Sequence, residues 1–474
     1  MKFLPSSDDH LRCGAEGRAW VYRAAVVESP TVSSPARRTL GIRGDLLAAG
    51  LAALLVGAAV AVGAYLNRPG SGVVIWAEAA PLYGSWLPHY GKGTVLAVLV
   101  AVCVLAWGPA LAGRLPWRRL LPLGYVASLA WIVALALVDG WTRGFARRLA
   151  TPHEYLHEVA GITDIPAMLA GFSDRILAGQ PDNWTTHVAG HPPGATLVFV
   201  WLDRLGLSGP VWAAIVCVLV GALVAVAVPV TIAALGRPEA ARASLPFVVL
   251  FPGAVWLGVS ADGLFAGVTA TGIALLALAT RWFRERRTSA PWAALGAGML
   301  LGFGIFLSYG LLLLGLVALA VVLCGRSGKA LLAVAAGAAG VAAVFAVAGF
   351  WWLDGYHLVV ERYYQGIASR RPYEYWVWAN IACLVLATGP AVVAGVRRLR
   401  GWGPVVVLTG AALLAVTAAD LSGLSKAEVE RIWLPFAVWL LPATALLPQE
   451  TRRWWLAGQA ALALAVNHLV LTVW

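Results

Sequence analysis

Residues 210–243 read PVWAAIVCVLVGALVAVAVPVTIAALGRPEAARA, an unbroken apolar run that ends in a turn carrying Arg237 and Arg242. A bilayer core about 30 Å thick needs roughly 20 apolar residues per helix, so this run is long enough to cross one. The basic turn that follows marks the cytoplasmic side, where Lys and Arg accumulate. The pattern repeats along the chain. Of the 474 residues, 60% are hydrophobic and 12% charged, and mean hydropathy is +0.78. Such a chain has too few polar groups to cover a water-soluble globule, which makes it a membrane protein. The sequence predicts an all-α polytopic fold with about thirteen spans. They fall near 46–66, 94–113, 120–138, 209–234, 245–260, 263–281, 291–307, 310–324, 330–350, 376–396, 403–420, 432–447 and 454–473.

With a cytoplasmic amino terminus, the inner turns become RLPWRR (114–119), GRPEAARA (236–243), RWFRERR (281–287), GRSGK (325–329), RRLRG (397–401) and QETRR (449–453). Nearly every short inner turn is then basic, so topology accounts for the net charge of +12 and no nucleic-acid partner is needed. Residues 1–45 read as a disordered basic cytoplasmic tail, and 46–474 as one multi-span membrane domain. The five cysteines are scattered singly, which argues against a disulfide framework or a thiolate zinc site. Most acidic residues and most histidines fall outside or at the outer boundary, so the active site is expected on the outer face of the cell membrane.

The long outer loop, 139–208, is too long to be a passive connector. TPHEYLHEVAG (151–161) contains the H-E-x-x-H pattern that sets two zinc-binding histidines on one helix face. It also reads as a helix over 152–160, with Thr151 as N-cap, Glu154 completing a capping box and Gly161 as stop. A second helix is expected over 163–178. HPPGATLVFVWLDRLG (191–206) is short, opens on two prolines and ends in Asp203 and Arg204, which suits an interfacial helix.

At Asp139, GHPPG (190–194), SADGLF (260–265) and AEVERIWLPF (427–436), the sequence resembles the GT-C superfamily of integral membrane glycosyltransferases. This group includes the protein O-mannosyltransferases and aminoarabinose transferases. The resemblance runs over about 120–447 in the order of features. It implies sugar transfer from a polyprenyl-phosphate donor to a hydroxyl of a glycan, lipid or protein acceptor outside the membrane. The family's first-loop carboxylate corresponds to Asp139, acting as base or positioning the acceptor directly or through a divalent ion (Mg or Mn). Its basic-or-His-Pro-Pro motif corresponds to His191, Pro192 and Pro193, near the donor phosphate or the metal. The chain departs from the family pattern at Gly140, where many relatives have a second acid, and at Gly194, where Leu is common.

The residues themselves offer a base and phosphate ligands. Asp139 is either the catalytic base or a span-flanking acid. Asp262 is either a substrate contact or an N-cap. Arg431, with Glu428 and Glu430 close by, is the first choice for the leaving phosphate, its alternative being an interfacial anchor. Arg362, Arg370 and Arg371 in 351–375 are candidates for substrate binding, with the surrounding aromatics stacking on sugar rings, or else the stretch sits in the lipid headgroup belt, which is the favoured reading. Glu154 and His191 add further candidates for substrate binding. Metal-ligand candidates are Asp139, His153, His157 and His191. A transporter or flippase of lipid or sugar, and a zinc membrane protease through HEYLH, are the competing readings.

Overall fold

The computed structural model describes residues 35–473, with side chains from residue 41. Most of the expected disordered tail, 1–45, lies outside the described residues, but its final part belongs to a helix, Pro35–Leu66. The protein is an all-α polytopic membrane protein. Among the described residues, eight helices are long and apolar enough to cross a bilayer: Gly41–Leu66, Lys92–Arg114, Trp117–Asp139, Pro210–Ala234, Ala261–Arg284, Ala290–Leu307, Gly328–Val347 and Pro404–Leu421. A ninth forms if Tyr373–Thr388 and Pro390–Val396, bent by 107°, count as one span.

Three of the expected runs fall short where proline and glycine interrupt the backbone ladder, and the last forms an unbroken helix that is too polar to count as a span. Run 245–260 becomes Pro238–Val249 and the single turn Ala254–Leu257. Run 310–324 splits into a 3-10 turn and Gly315–Gly325. Run 432–447 becomes three short pieces around Pro435 and Pro442. The last run forms Arg452–Leu469 and then a short strand, Val470–Thr472, antiparallel to Gly84–Trp86.

Small residues let the helices approach closely, as is usual where lipid supplies no hydrophobic drive between them. A Cβ on Gly302 would lie 2.7 Å from Ala338 Cα, so the Ala-Gly stretch 334–343 packs directly on Ala290–Leu307. The bend at Gly389 (φ +87°) is stitched by a buried side chain from the last helix. Gln459 donates to Thr388 O and accepts from Ala391 N at 3.4 Å, satisfying backbone groups that the bend leaves open.

Charges concentrate at the ends of this apolar bundle. At one end, buried Asp45 pairs with Arg397 (2.9 Å) and Arg398 (2.6 Å), fixing the first helix to the turn after Val396. The opposite end carries the candidate site.

Candidate functional site

Asp139 closes the Trp117–Asp139 span and is 10% exposed. One carboxylate oxygen lies 2.8 Å from His89 Nε2; the other lies 3.6 Å from Arg143 Nε and 3.7 Å from Arg148 Nη1. The paired strands hold these cations in place. Thr472 Oγ1 accepts from Arg148 at 2.9 Å, and Thr472 O accepts from Arg143 at 3.2 Å. Burial pushes the Arg148 guanidinium down to about 10, against the attraction of Asp139 and, more weakly, Glu154. Three cationic or chargeable groups thus surround one carboxylate, a setting that does not fit a divalent cation at Asp139.

Beyond Arg148 the balance of charge reverses. Arg431 is buried and pairs with Asp262 Oδ2 at 2.6 Å and Glu428 Oε2 at 3.1 Å. Burial alone would lower the Arg431 pKa, but Asp262, Glu428 and Glu154 together hold it above the usual arginine value. Ser260, not Asp262, caps the Ala261–Arg284 helix, with its side chain accepting from Gly263 N at 3.0 Å. Asp262 is therefore available to Arg431. Glu428 also takes Arg371 at 3.3 Å, and Arg371 in turn donates to Lys426 O and Trp76 O. Arg371, a candidate for substrate binding, thus ties the 426–431 loop to Trp76.

That loop is strained. Ala427 (φ +70°) and Glu428 (φ +64°) both adopt the left-handed conformation, which L-residues avoid. Asn380 holds the strained stretch: its Nδ2 donates to Asp420 (2.9 Å) and Ser425 O (2.7 Å), and its Oδ1 accepts from Ala427 N. Glu430 is fully buried and accepts from Tyr83 N at 2.8 Å. Burial pushes its carboxyl up to about 7.

The 139–208 loop departs from the expected capped helix over 152–160. Residues 151–155 form turns, and only Leu156–Val159 is helical. The His153 carbonyl, which a helix would spend on its own ladder, accepts instead from His187 N at 3.0 Å. Glu154 makes no capping box. It turns inward, with Oε2 3.2 Å from His187 Nδ1. Burial works to raise the Glu154 carboxyl, but His187, helped by Arg431 and His191, holds it below the usual range. His153 and His157 are both exposed, and His153 Nδ1 lies 3.5 Å from Thr186 Oγ1. Among the described residues, no three His, Cys, Asp or Glu side chains gather as a metal-holding group. The expected 163–178 helix is also shorter, Ile165–Ala170, capped by Asp164, which accepts from Ala167 N at 3.0 Å.

His191 lies just before the Pro193–Arg204 helix, which is shorter than the membrane-length helices, as an interfacial helix would be. Its ring packs against Tyr155 and Phe265, each with ring centres 5.7 Å away. The departure at Gly194 has a packing reason: a Cβ there would stand 2.5 Å from Phe306 O. Among the described residues Arg362 is not joined to the site by any hydrogen bond or ion pair; it lies half-buried on the aromatic helix Trp352–Gln365.

The structure thus sets Asp139 with His89, Arg143 and Arg148, Glu154 with His187, and Arg431 with Asp262, Glu428 and, through Glu428, Arg371 and Lys426. Glu430 binds Tyr83 N and His191 packs on Tyr155, while Glu154 acts electrostatically on both Arg148 and Arg431. The residues among these that the structure adds, His89, Arg143, Arg148, Tyr155, His187 and Lys426, carry a faint signal in the sequence. His187 precedes His191 by four residues, and Arg143 and Arg148 follow Asp139 in the same loop.

No protein-family profile matches the chain, and no curated protein matches it. Among solved structures, it is similar to the crystal structure of the Archaeoglobus fulgidus oligosaccharyltransferase in complex with Zn and sulfate. The TM-score is 0.45 at 14% identity, covering 73% of this chain and 53% of that one. The chain therefore spans about half the length of that protein.

Proposed function

We propose that the protein is a membrane glycosyltransferase that moves a sugar from a polyprenyl-phosphate donor to an acceptor hydroxyl on the outer face of the cytoplasmic membrane, in building a cell-envelope glycan or glycolipid. One observation carries this reading: two charge groups of opposite balance meet at one end of an apolar bundle. Around Asp139, His89, Arg143 and Arg148 outnumber the single carboxylate. Around Arg431, Asp262, Glu428 and Glu154 outnumber the guanidinium. The basic turns, read as cytoplasmic, support an outer location for the site.

Inverting transfer needs both kinds of surroundings. The acceptor oxygen bonds to the anomeric carbon, the bond from that carbon to the phosphate oxygen breaks, and the electron pair leaves with the phosphate. The leaving phosphate needs guanidinium groups, which Arg143 and Arg148 supply. The acceptor proton needs an ionised carboxylate, which the Glu154–His187 pair supplies. Asp139 then positions the guanidiniums, since its oxygens already face His89, Arg143 and Arg148. A transporter would be expected to carry its charges near mid-membrane.

The test measures transfer from labelled polyprenyl-phosphate sugars by the purified full-length protein. Glu154→Gln is expected to cut kcat at least a hundredfold, whereas Asp139→Asn and Arg143→Gln raise the donor KM. Full activity in Glu154→Gln would refute the assignment of the base. Absence of transfer from every lipid-phosphate sugar, together with measured flux of a lipid or sugar, would refute the class.

A further inference from the structure

His191 heads the Pro-Pro motif that the family resemblance assigns to the donor phosphate or a metal. Its hydrogen bonding points to another partner. Nδ1 lies 2.8 Å from the carbonyl oxygen of His187. A carbonyl can only accept, so Nδ1 carries the proton, and in the neutral ring Nε2 keeps a lone pair. Burial, the largest influence, holds the imidazole down at about 4, so it stays neutral at physiological pH. The charged groups that act on it are Asp262, which favours protonation, and His187 and Arg431, which oppose it. Among the described residues Nε2 has no hydrogen-bond partner, and the ring is held between Tyr155 and Phe265.

A bare Nε2 accepts hydrogen bonds and cannot donate one. A phosphate oxygen is itself an acceptor, so it finds no partner there. A metal would need further ligands, and the described residues bring no such group together. A hydroxyl fits, because it brings the proton. We propose that His191 is a specificity residue that accepts a hydrogen bond from a carbohydrate hydroxyl in the site, which puts the sugar, not the phosphate, against the Pro-Pro motif. This rests on the glycosyltransferase reading above. The aromatic walls agree with it, since Tyr155 and Phe265 offer faces and edges against which an apolar sugar face packs.

The proposal has a spectroscopic test and a kinetic one, both on the full-length protein. In nitrogen-15 spectra of histidine-labelled protein at neutral pH, the signal lost in His191→Gln should show a protonated Nδ1 and a bare Nε2. A protonated Nε2 would overturn the proposal whatever the activity. Kinetically, the wild type and His191→Ala are compared on a panel of polyprenyl-phosphate hexoses and pentoses, on their mono-deoxy forms, and on an alkyl hexoside acceptor with its mono-deoxy forms. His191→Ala should lose about tenfold in kcat/KM on the parent substrate, the worth of one hydrogen bond, and nothing on the one deoxy form that lacks the partner hydroxyl. Convergence on a deoxy donor identifies the donor sugar as the source, and convergence on a deoxy acceptor identifies the acceptor. His191→Gln, whose amide oxygen still accepts, should recover part of the loss. An equal loss on every deoxy form would overturn the proposal while leaving the glycosyltransferase reading intact. A wild type inactive on every donor would overturn that reading, and this proposal with it.

Discussion

Replacing Glu430 by Gln should make the pH dependence of stability steeper, although it removes a titrating group. Burial, opposed by Tyr83 N–H and Arg431 and aided by Glu428, lifts this carboxyl from 4.5 to about 7. Below pH 4.5 it is protonated in both the folded and unfolded states. Between pH 4.5 and 7 the folded state keeps a proton that the unfolded state has lost, so stability falls as pH rises. At about 1.4 kcal/mol per pH unit the loss amounts to about 3 kcal/mol, all of it present above pH 7. His191 works in the other direction. Its folded value is lowered from 6.5 to about 4, so its contribution is present above pH 6.5 and is lost as pH falls toward 4. The two slopes oppose each other between pH 4.5 and 6.5 and partly cancel there. Without Glu430, the His191 slope is no longer opposed by that carboxyl. Thermal unfolding in detergent micelles from pH 4.5 to 8 should show Glu430→Gln gaining on the wild type as pH rises, by about 3 kcal/mol at pH 8. Parallel profiles, or a variant less stable than wild type at pH 8, would refute the reasoning.

Three further substitutions probe the same end of the bundle. Asp262→Ala removes the shorter of the two carboxylate partners of the buried Arg431, leaving Glu428, and should cost about 1–3 kcal/mol, whereas Asp262→Ala with Arg431→Met should recover part of that loss; a double-mutant cycle by thermal unfolding checks it, and strict additivity would contradict a direct pair. Ala427→Gly relieves a left-handed alanine and should stabilise the protein by about 1 kcal/mol; destabilisation would show that the loop is not strained at that residue. Gly194→Ala forces a methyl against the Phe306 carbonyl and should destabilise by about 1–3 kcal/mol; an unchanged unfolding midpoint would show that the two helices have room to part.

The class of fold was legible because apolarity is local. Runs such as 210–234 announce themselves within a few turns of helix. Asp139, Asp262, Glu430 and Arg431 became candidates for a related reason: each is a charge at the edge of an apolar run, where it must be explained. Contacts made by the folded bundle were not legible. Tyr83 meets Glu430 across 347 residues, and Arg148 meets Thr472 across 324. No local pattern carries either pairing. Glu154 shows the hazard of a strong local pattern: T-x-x-E before an apolar stretch is a sound capping signature, yet His187, far along the loop, claims both the His153 carbonyl and the Glu154 carboxylate. Breaks were under-read as well. Pro246, Pro435 and Pro442 sit inside apolar runs that scan as continuous spans, but the backbone divides them or ends them early.

Gln459 has a bearing on the order in which this protein assembles. The ribosome delivers Thr388, Gly389 and Ala391 to the membrane before Gln459 exists, because the hydrogen-bonding amide lies 71 residues downstream of Thr388. Until the last helix arrives, the bent span has backbone groups with no partner in hydrocarbon, so an insertion intermediate would keep it straight, shielded or outside the core. The final helix thus acts as a lock on an earlier one. Chains arrested before residue 452 should differ from the finished protein in the protection of 373–396, a region the arrest itself leaves untouched.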